Sequence, residues 1–244
     1  MDFGPAADDY ARHRAGFPTS FFERVPLSGR VLDLGSGTGA IARSYRASGA
    51  QVVALDLSPA MLSRAPDLPA RVAARAERCP FRDGSFDAVV AGQCWHWLDG
   101  PAAAREANRL LSPGGRLVVA HFDYLAIAPN AAFESERLVL EVHPAWPMAG
   151  SDGRYDRWRP HLEAAGLDEI ESVDWVEDVV YTHESWRGRM RANNGVLALG
   201  DPARIAAFDA ELGRLLARRF PDPLIIPHRV FVLSAKRSAS ARLA

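Results

Sequence analysis

Three glycines at alternate positions, directly after a short apolar run, constrain the fold of this chain more than any other feature. Val31 to Leu34 predicts a β-strand, and Gly35, Gly37 and Gly39 follow it before a helical pattern begins. Glycine permits a tight turn and lets a ligand approach the backbone, because it has no Cβ. The unpaired N–H groups at the start of the next helix point toward such a ligand. The segment therefore predicts a nucleotide-like ligand at the end of a strand.

The nature of that ligand depends on Asp33 and on the third glycine. Gly35-x-Gly37-x-x-Ala40 also fits a loose dinucleotide fingerprint, which leaves a nicotinamide cofactor open. A carboxylate at Asp33 repels a pyrophosphate but attracts the ammonium of a zwitterionic amino acid, directly or through water. The pattern resembles motif I of the class I S-adenosylmethionine (SAM)-dependent methyltransferases. This resemblance implies that the cofactor is SAM and that it contacts Asp33, Gly35, Ser36, Gly37 and Gly39.

Composition indicates an ordinary globular domain. The chain has 244 residues, of which 48% are hydrophobic and 24% charged, and its formal net charge is −1. This charge provides no field that attracts nucleic acid or an acidic membrane. The two cysteines have no metal-ligand spacing, no apolar run reaches the length of a membrane span, and the first residues do not resemble a signal peptide. We expect a cytoplasmic monomer or homodimer with no metal, no nucleic-acid partner and no membrane partner.

Strand-like and helix-like segments alternate through the first half of the chain, which predicts a parallel sheet with helices on both faces. We expect strands at residues 30–34, 51–55, 72–74, 86–91, 116–121, 170–181 and 224–235. We expect helices at 39–48, 59–65, 101–111, 155–165, 183–199 and 202–220, and a turn at 112–115. The predicted fold class is α/β, a doubly wound Rossmann-like sheet of seven strands. The family resemblance implies that the sheet is mostly parallel, with the last strand antiparallel, and that helical inserts form a lid.

We treat residues 1–244 as a single methyltransferase domain. Residues 25–123 form the predicted cofactor-binding core. Residues 1–24, 124–150 and 183–220 are the segments that we expect to form the lid and the acceptor pocket.

Asp56 lies at the end of the second predicted strand, about 20 residues after the first glycine. A carboxylate in this place binds a ribose diol because it can accept hydrogen bonds from both hydroxyls. The run Asp56-Leu-Ser-Pro-Ala-Met61 resembles the family's Asp-x-Ser-x-x-Met sequence. The resemblance implies that Leu57 and Met61 lie near the adenosine.

The segment from Ala76 to Asp87 resembles a Gly-Asp-Ala-Glu-x-Leu-Pro-Phe-x-Asp-x-Ser-Phe-Asp block of the ubiquinone-biosynthesis-like methyltransferases. This resemblance implies that Ala76 and Glu77 line the adenine site. Arg75 replaces the family's aspartate, which binds the adenine amino group, and a guanidinium has donors only. Arg75 could stack on the ring, or turn away and leave the Ala76 N–H to hold the adenine.

The end of the fourth predicted strand reads Gln93-Cys-Trp-His-Trp97 and resembles the Gln-x-x-His-Trp pattern of trans-aconitate and juvenile-hormone-acid methyltransferases. The resemblance implies that Gln93 touches SAM and that His96 and Trp97 line the junction between cofactor and acceptor. Packing alone is the alternative for both rings. The Asn/Asp-Pro-Pro-Tyr/Phe motif of amino-directed DNA and protein methyltransferases is absent. His121, at the end of the fifth strand, is a second candidate for a general base.

Near the N-terminus, Tyr10-Ala-Arg-His-Arg-Ala-Gly-Phe-Pro18 resembles a Tyr-x-x-x-Arg-Pro-x-Tyr-Pro segment that folds over SAM. The match places Tyr10 near the acceptor, and it places Arg14 where a guanidinium can pair with the methionine carboxylate. Ala15 and Phe17 replace the family's proline and tyrosine.

Taken together, the motifs predict transfer of a methyl group from SAM to a small-molecule carboxylate, hydroxyl or amine by in-line displacement. His96 and His121 are the candidate catalytic residues. Two alternatives stay open: a SAM-binding regulatory protein without transfer activity, and a NAD-dependent oxidoreductase built on the same sheet. The near-neutral charge and the missing Asn/Asp-Pro-Pro-Tyr motif disfavour a macromolecular acceptor.

Overall fold

A computed structural model describes His13 and residues 15–239. Seven strands form one sheet: β1 Arg30–Leu34, β2 Gln51–Asp56, β3 Arg71–Ala73, β4 Phe86–Gly92, β5 Leu111–Tyr124, β6 Leu167–Tyr181 and β7 Leu224–Arg237. The α-helices of the described part are α1 Thr19–Arg24, α2 Ala40–Ala47, α3 Pro59–Leu62, α4 Gly100–Leu110, α5 Ala131–Val142, α6 Arg159–Ala164, α7 His183–Arg191, α8 Asn194–Leu197 and α9 Pro202–Arg219. Within the same described residues, 3₁₀ turns cover Trp95–Trp97 and Asp156–Trp158.

The strand order is β3-β2-β1-β4-β5-β7-β6, which places the strand of the glycine motif near the middle of the sheet. The pairs β1–β2, β1–β4, β2–β3 and β4–β5 are parallel. Their carboxyl ends therefore meet at one edge, where parallel α/β sheets bind ligands. The predicted seven-stranded α/β fold is confirmed.

The chain divides into two compact units, each of which has its own apolar core. In the described part, the first unit contains residues 16–122, 154–175 and 230–239. The second contains His13, Ala15 and residues 123–153 and 176–229. The segments 124–150 and 183–220, predicted to form a lid, belong to the second unit. Their role over an acceptor stays a prediction.

Local capping signals explain where several helices begin. The Ser58 side chain accepts from the Met61 N–H and Pro59 occupies the first turn of α3, as the sequence indicates. Asp99 accepts from the Ala102 N–H at the start of α4. Apolar residues of the strands are buried between the sheet and its helices, and this burial stabilises the first unit.

Several elements differ from the prediction. The helix expected at 183–199 is two helices, because the Asn193 side chain accepts from the Gly195 N–H and caps a new start. The helix expected at 155–165 begins as the 3₁₀ turn Asp156–Trp158. The strand expected at 116–121 already begins at Leu111, and the turn at 112–115 lies within it at a register shift. Helices α1 and α5 were not predicted, although Asn130 supplies an N-cap for α5.

Asp33 lies inside this core and supports the helix that follows the glycine turn. The side chain is 1% exposed, and its Oδ2 accepts from the Ala42 N–H at 3.1 Å in the first turn of α2. Burial raises the pKa of Asp33 to about 7, and the charge of Asp56 adds to this, while the neighbouring Ser36 side chain and the hydrogen bond from the Ala42 backbone oppose it. The ammonium contact predicted for Asp33 is untested, and the observed contacts are structural.

This burial predicts how stability depends on pH. In the unfolded chain the pKa of Asp33 lies near 3.8, so between about pH 4 and pH 7 the folded state binds more protons than the unfolded state. Stability due to this group therefore falls as pH rises through that window, by up to about 1.4 kcal/mol per pH unit. Denaturant unfolding of the wild type and Asp33→Asn at pH 5, 6 and 7 measures the effect, and we expect the wild-type curve to fall relative to the variant.

Asp87→Asn is the matched control. Contacts with Arg30 lower the pKa of Asp87, so above pH 5 this carboxylate is ionised in both the folded and the unfolded chain. Parallel pH dependences of the wild type and Asp33→Asn would contradict the assignment.

Candidate functional site

The glycine turn between β1 and α2 forms the centre of the site, at the carboxyl edge of the sheet. Gly35, Gly37 and Gly39 have φ values of 68°, 56° and 80°, in the left-handed region that favours glycine. A Cβ on Gly35 would lie 2.7 Å from the Cβ and Sγ of Cys94, which leaves no room for a side chain. At Gly37 the nearest atom to such a Cβ is the Met61 methyl carbon at 3.5 Å, an ordinary contact. The turn is therefore packed tightly at Gly35 and has more room at Gly37.

Asp56 is held in place beside this turn by two backbone donors. Its Oδ2 accepts from the Gly37 N–H and its Oδ1 accepts from the Ser58 N–H, both at 2.8 Å. Each carboxylate oxygen has a second lone pair, so two further donors can be accepted. The following residue, Leu57, is 66% exposed. A fixed pair of acceptors beside an exposed apolar side chain fits the ribose and base of a nucleoside.

The segment after β3 continues this edge of the sheet. Ala76 is buried, and the Glu77 Oε1 accepts from the Asp99 N–H at 3.2 Å, which ties the segment to the start of α4. The Arg75 side chain is 68% exposed, and its Nε lies 3.5 Å from the Glu77 Oε2. The sequence left two arrangements open for Arg75, stacking on the adenine ring or turning away from it. In the structure the side chain points toward Glu77 and solvent.

The end of β4 is fixed against both neighbouring strands. Gln93 has a φ of 60°, which is uncommon for a residue with a side chain and costs backbone strain. Its backbone N–H donates to the Ala120 oxygen at 2.9 Å, and its Nε2 donates to the Phe122 oxygen at 2.6 Å. The Cys94 Sγ donates to the Leu34 oxygen at 3.0 Å, and burial raises the pKa of this thiol, so it keeps its proton. The glycine turn and the end of β4 are thus locked together.

A cluster of rings follows the end of β4 in the same unit. The His96 ring lies 4.6 Å from the Trp97 ring and 5.2 Å from the His121 ring, measured between centroids. His121 is 1% exposed and also contacts Tyr155 at 4.4 Å and Trp158 at 4.9 Å. Trp97 is 48% exposed. The structure therefore brings the two predicted histidines together, with His121 buried behind His96.

Sequence reasoning missed three residues of this region. Tyr155 and Trp158 stack at 4.4 Å with an interplanar angle of 6° and enclose His121, and Cys94 closes the glycine turn. The spacing of Tyr155 and Trp158, three residues apart in a helix-like segment, was the available signal, because such residues share a helix face. The sequence holds no comparable signal for Cys94, because its contact with Gly35 joins two segments that are distant in the sequence.

Two predicted residues, Tyr10 and Arg14, lie outside the residues that the structure describes. No group of three or more His, Cys, Asp or Glu side chains among His13 and residues 15–239 could hold a metal ion. In that same part of the chain, no helix combines the length and the apolar character needed to cross a membrane.

Comparison with known proteins agrees with this geometry. A family model described as a methyltransferase domain matches residues 32–119. An uncharacterized methyltransferase of Mycobacterium tuberculosis is 43% identical over 123 residues, which cover 48% of this chain and 50% of that protein. The match thus spans about half the length of this relative. A demethylmenaquinone methyltransferase of Beutenbergia cavernae is 37% identical over 199 residues, covering 76% of this chain and 78% of that protein.

The solved structure of a type II methyltransferase from Anaeromyxobacter dehalogenans superimposes with a TM-score of 0.71 at 20% identity, covering 93% of this chain and 99% of that one. At that identity the likeness concerns the fold alone. The glycine turn and Asp56 lie within the segment that the family model matches. The chain belongs to the class I SAM-dependent methyltransferases.

Proposed function

We propose that this protein transfers a methyl group from SAM to a small molecule. The main support for the proposal is the hydrogen bond between the glycine turn and Asp56, in which the Gly37 N–H donates to the carboxylate at 2.8 Å. This hydrogen bond places the glycine backbone next to the two fixed carboxylate oxygens of Asp56. A SAM molecule needs both, because its methionine part must lie close to the backbone while its ribose diol donates two hydrogen bonds.

The other predicted cofactor residues take supporting places in this proposal. Gly35, Ser36 and Gly39 form the turn under the methionine part, and Met61 lies against it. Asp33 acts by holding the first turn of α2, as its burial and its contact with Ala42 support. We keep the assignment of Arg14 to the methionine carboxylate and of Tyr10 to the acceptor as predictions.

The nucleobase side of the cofactor is proposed to lie beyond Asp56. Leu57 supplies an exposed apolar face, and Ala76 supplies a backbone N–H in the segment after β3. Glu77 fixes that segment through the Asp99 N–H, so we assign it a supporting role and no direct contact. Gln93 holds the end of β4 in its strained conformation beside the turn.

Bound SAM supplies an electrophilic methyl group on a sulfonium centre. The task of the protein is to align the acceptor atom with the S–CH₃ bond and to exclude water, and alignment of this kind can be worth about 7 to 11 kcal/mol of barrier. A carboxylate acceptor needs no base, whereas a hydroxyl or a protonated amine must lose a proton. His96 is the proposed base, since it lies at the outer side of the ring cluster next to the half-exposed Trp97.

His121 is proposed to act through His96. Its ring is buried among His96, Tyr155 and Trp158, so it limits where the His96 ring can lie. A positioned imidazole is a better base than a mobile one, because its orientation toward the acceptor is already set.

A small acceptor is favoured over a macromolecule by charge and by relatedness. The formal net charge of −1 provides no attraction for nucleic acid. Relatives such as the Beutenbergia cavernae protein are named demethylmenaquinone methyltransferases. A reduced quinone carries a ring hydroxyl that a base can deprotonate, so a demethylated quinol is the first acceptor to assay.

The ribose assignment predicts the effect of Asp56→Ala. Loss of the carboxylate leaves the ribose hydroxyls and the Gly37 N–H without acceptors, so binding of S-adenosylhomocysteine should weaken by about 1 to 3 kcal/mol. Calorimetric titration of the folded variant measures this change. Asp87→Ala removes a carboxylate that pairs with Arg30 at the start of β1, in the same unit, and serves as the control. Unchanged affinity in Asp56→Ala would exclude the ribose role.

The base assignment predicts a different pattern for His96→Ala. Affinity for S-adenosylhomocysteine should stay within about twofold, whereas turnover of a hydroxyl acceptor should fall by about 10² to 10⁴, the usual contribution of a general base. His161→Ala removes another histidine of the same unit, outside the ring cluster, and should leave turnover near wild type. Lost cofactor affinity together with unchanged turnover per bound cofactor would place His96 in the cofactor site instead.

A further inference from the structure

We propose that Arg157 binds a carboxylate group of the methyl acceptor, and that the acceptor is an aromatic acid with a ring hydroxyl. This inference rests on the proposed function, because it takes His96 to be the base that acts on the hydroxyl. It adds a residue that selects the acceptor, and it names the chemical class of that acceptor.

The 3₁₀ turn Asp156–Trp158 holds Arg157 beside the ring cluster. The Trp158 N–H donates to the Tyr155 oxygen at 3.0 Å, and the rings of Tyr155 and Trp158 are buried and stacked on each other. The Arg157 guanidinium carbon lies 5.0 Å from the centre of the Tyr155 ring and 5.6 Å from the centre of the Trp158 ring. Attraction between the cation and these rings therefore keeps an exposed guanidinium next to the cluster.

The two rings that contact Arg157 also contact the buried histidine behind the proposed base. The His121 ring lies 4.4 Å from the Tyr155 ring and 4.9 Å from the Trp158 ring, and the His96 ring lies 5.2 Å from the His121 ring, measured between centroids. All five residues belong to the first compact unit. Because the interior of a protein is closely packed, these ring contacts set the separation between the guanidinium and the His96 imidazole.

The neighbouring arginines of the same segment have different partners. Arg154 pairs with Asp174 at 3.0 Å, and the Arg159 Nη1 donates to the Ile170 oxygen at 2.8 Å, so both side chains fasten the segment to β6. Arg157 instead lies over ring faces. A guanidinium in this position keeps the N–H groups along its edge for an acceptor that lies in its plane, and their fork matches the two oxygens of a carboxylate.

Trp97 supplies a flat apolar surface for the body of the acceptor. The residue is half-exposed, and its ring lies 4.6 Å from the His96 ring. A planar acceptor can stack on the open face of the indole with a ring hydroxyl next to His96. A carboxylate on the same ring then pairs with Arg157 through two charge-assisted hydrogen bonds. An aromatic acid thus uses the stacking face, the base and the guanidinium, whereas a neutral quinol uses only the first two.

The test is calorimetric titration of the full chain saturated with S-adenosylhomocysteine, which has no methyl group to transfer. The probes are 2-, 3- and 4-hydroxybenzoate, each compared with its neutral amide. We expect the wild type to bind at least one of these acids about tenfold more tightly than the matching amide, the lower end of what hydrogen bonds to a charged group contribute. Arg157→Gln should abolish this preference and Arg157→Lys should keep part of it, with the affinity for S-adenosylhomocysteine unchanged in both.

Arg154→Gln is the matched control, because it removes the same charge from the same segment at a residue that pairs with Asp174. This variant should keep the wild-type preference. Three results would overturn the proposal: a wild type that binds none of the acids more tightly than its amide, a preference that survives in Arg157→Gln, and a preference that Arg154→Gln abolishes equally. Failure of the wild type to bind S-adenosylhomocysteine would instead remove the proposed function, and this inference with it, so the two failures are distinguishable.

Discussion

The close packing of the glycine turn against the ends of β2 and β4 is the constraint on which the rest of the site depends. Gly35 lies against Cys94 where no side chain fits, and the Gly37 N–H reaches Asp56 on the adjacent strand. The turn thereby links three neighbouring parallel strands at their carboxyl ends. Because these contacts already fix the backbone, the proposed acceptors for a ribose are oriented in advance, and binding then loses less free energy to ordering.

The same packing connects the proposed cofactor site at the glycine turn to the proposed base, His96. Cys94 touches the turn on one side, and the 3₁₀ turn that carries His96 begins directly after it. Gln93 stores backbone strain at this point and is held by hydrogen bonds to β5. A strained conformation persists where many surrounding contacts hold the residue in it, and such residues cluster at functional sites. The strain at Gln93 thus supports the proposed placement of cofactor and base on adjacent parts of this edge of the sheet.

Features that depend on local sequence could be predicted, whereas those that depend on distant contacts could not. Apolar runs and the glycine spacing identified β1, β2 and β4 because strand propensity and turn chemistry are local. The split between α7 and α8 was missed because Asn193 competes for the backbone inside an otherwise helical pattern. The burial of His121 behind Tyr155 and Trp158, and the fit of Cys94 against Gly35, arise only when separate segments meet. Acceptor identity depends on such contacts as well, and no motif in this sequence specifies it.

The central claim is that the glycine turn and Asp56 hold SAM and not a dinucleotide. Calorimetric titration of the full chain with SAM, with S-adenosylhomocysteine and with NADH tests it most directly. The account predicts binding of both sulfur ligands at about micromolar concentration, near −8 kcal/mol, and no measurable binding of NADH. Binding of NADH together with no response to SAM or S-adenosylhomocysteine would contradict it, because the same turn would then cradle a pyrophosphate.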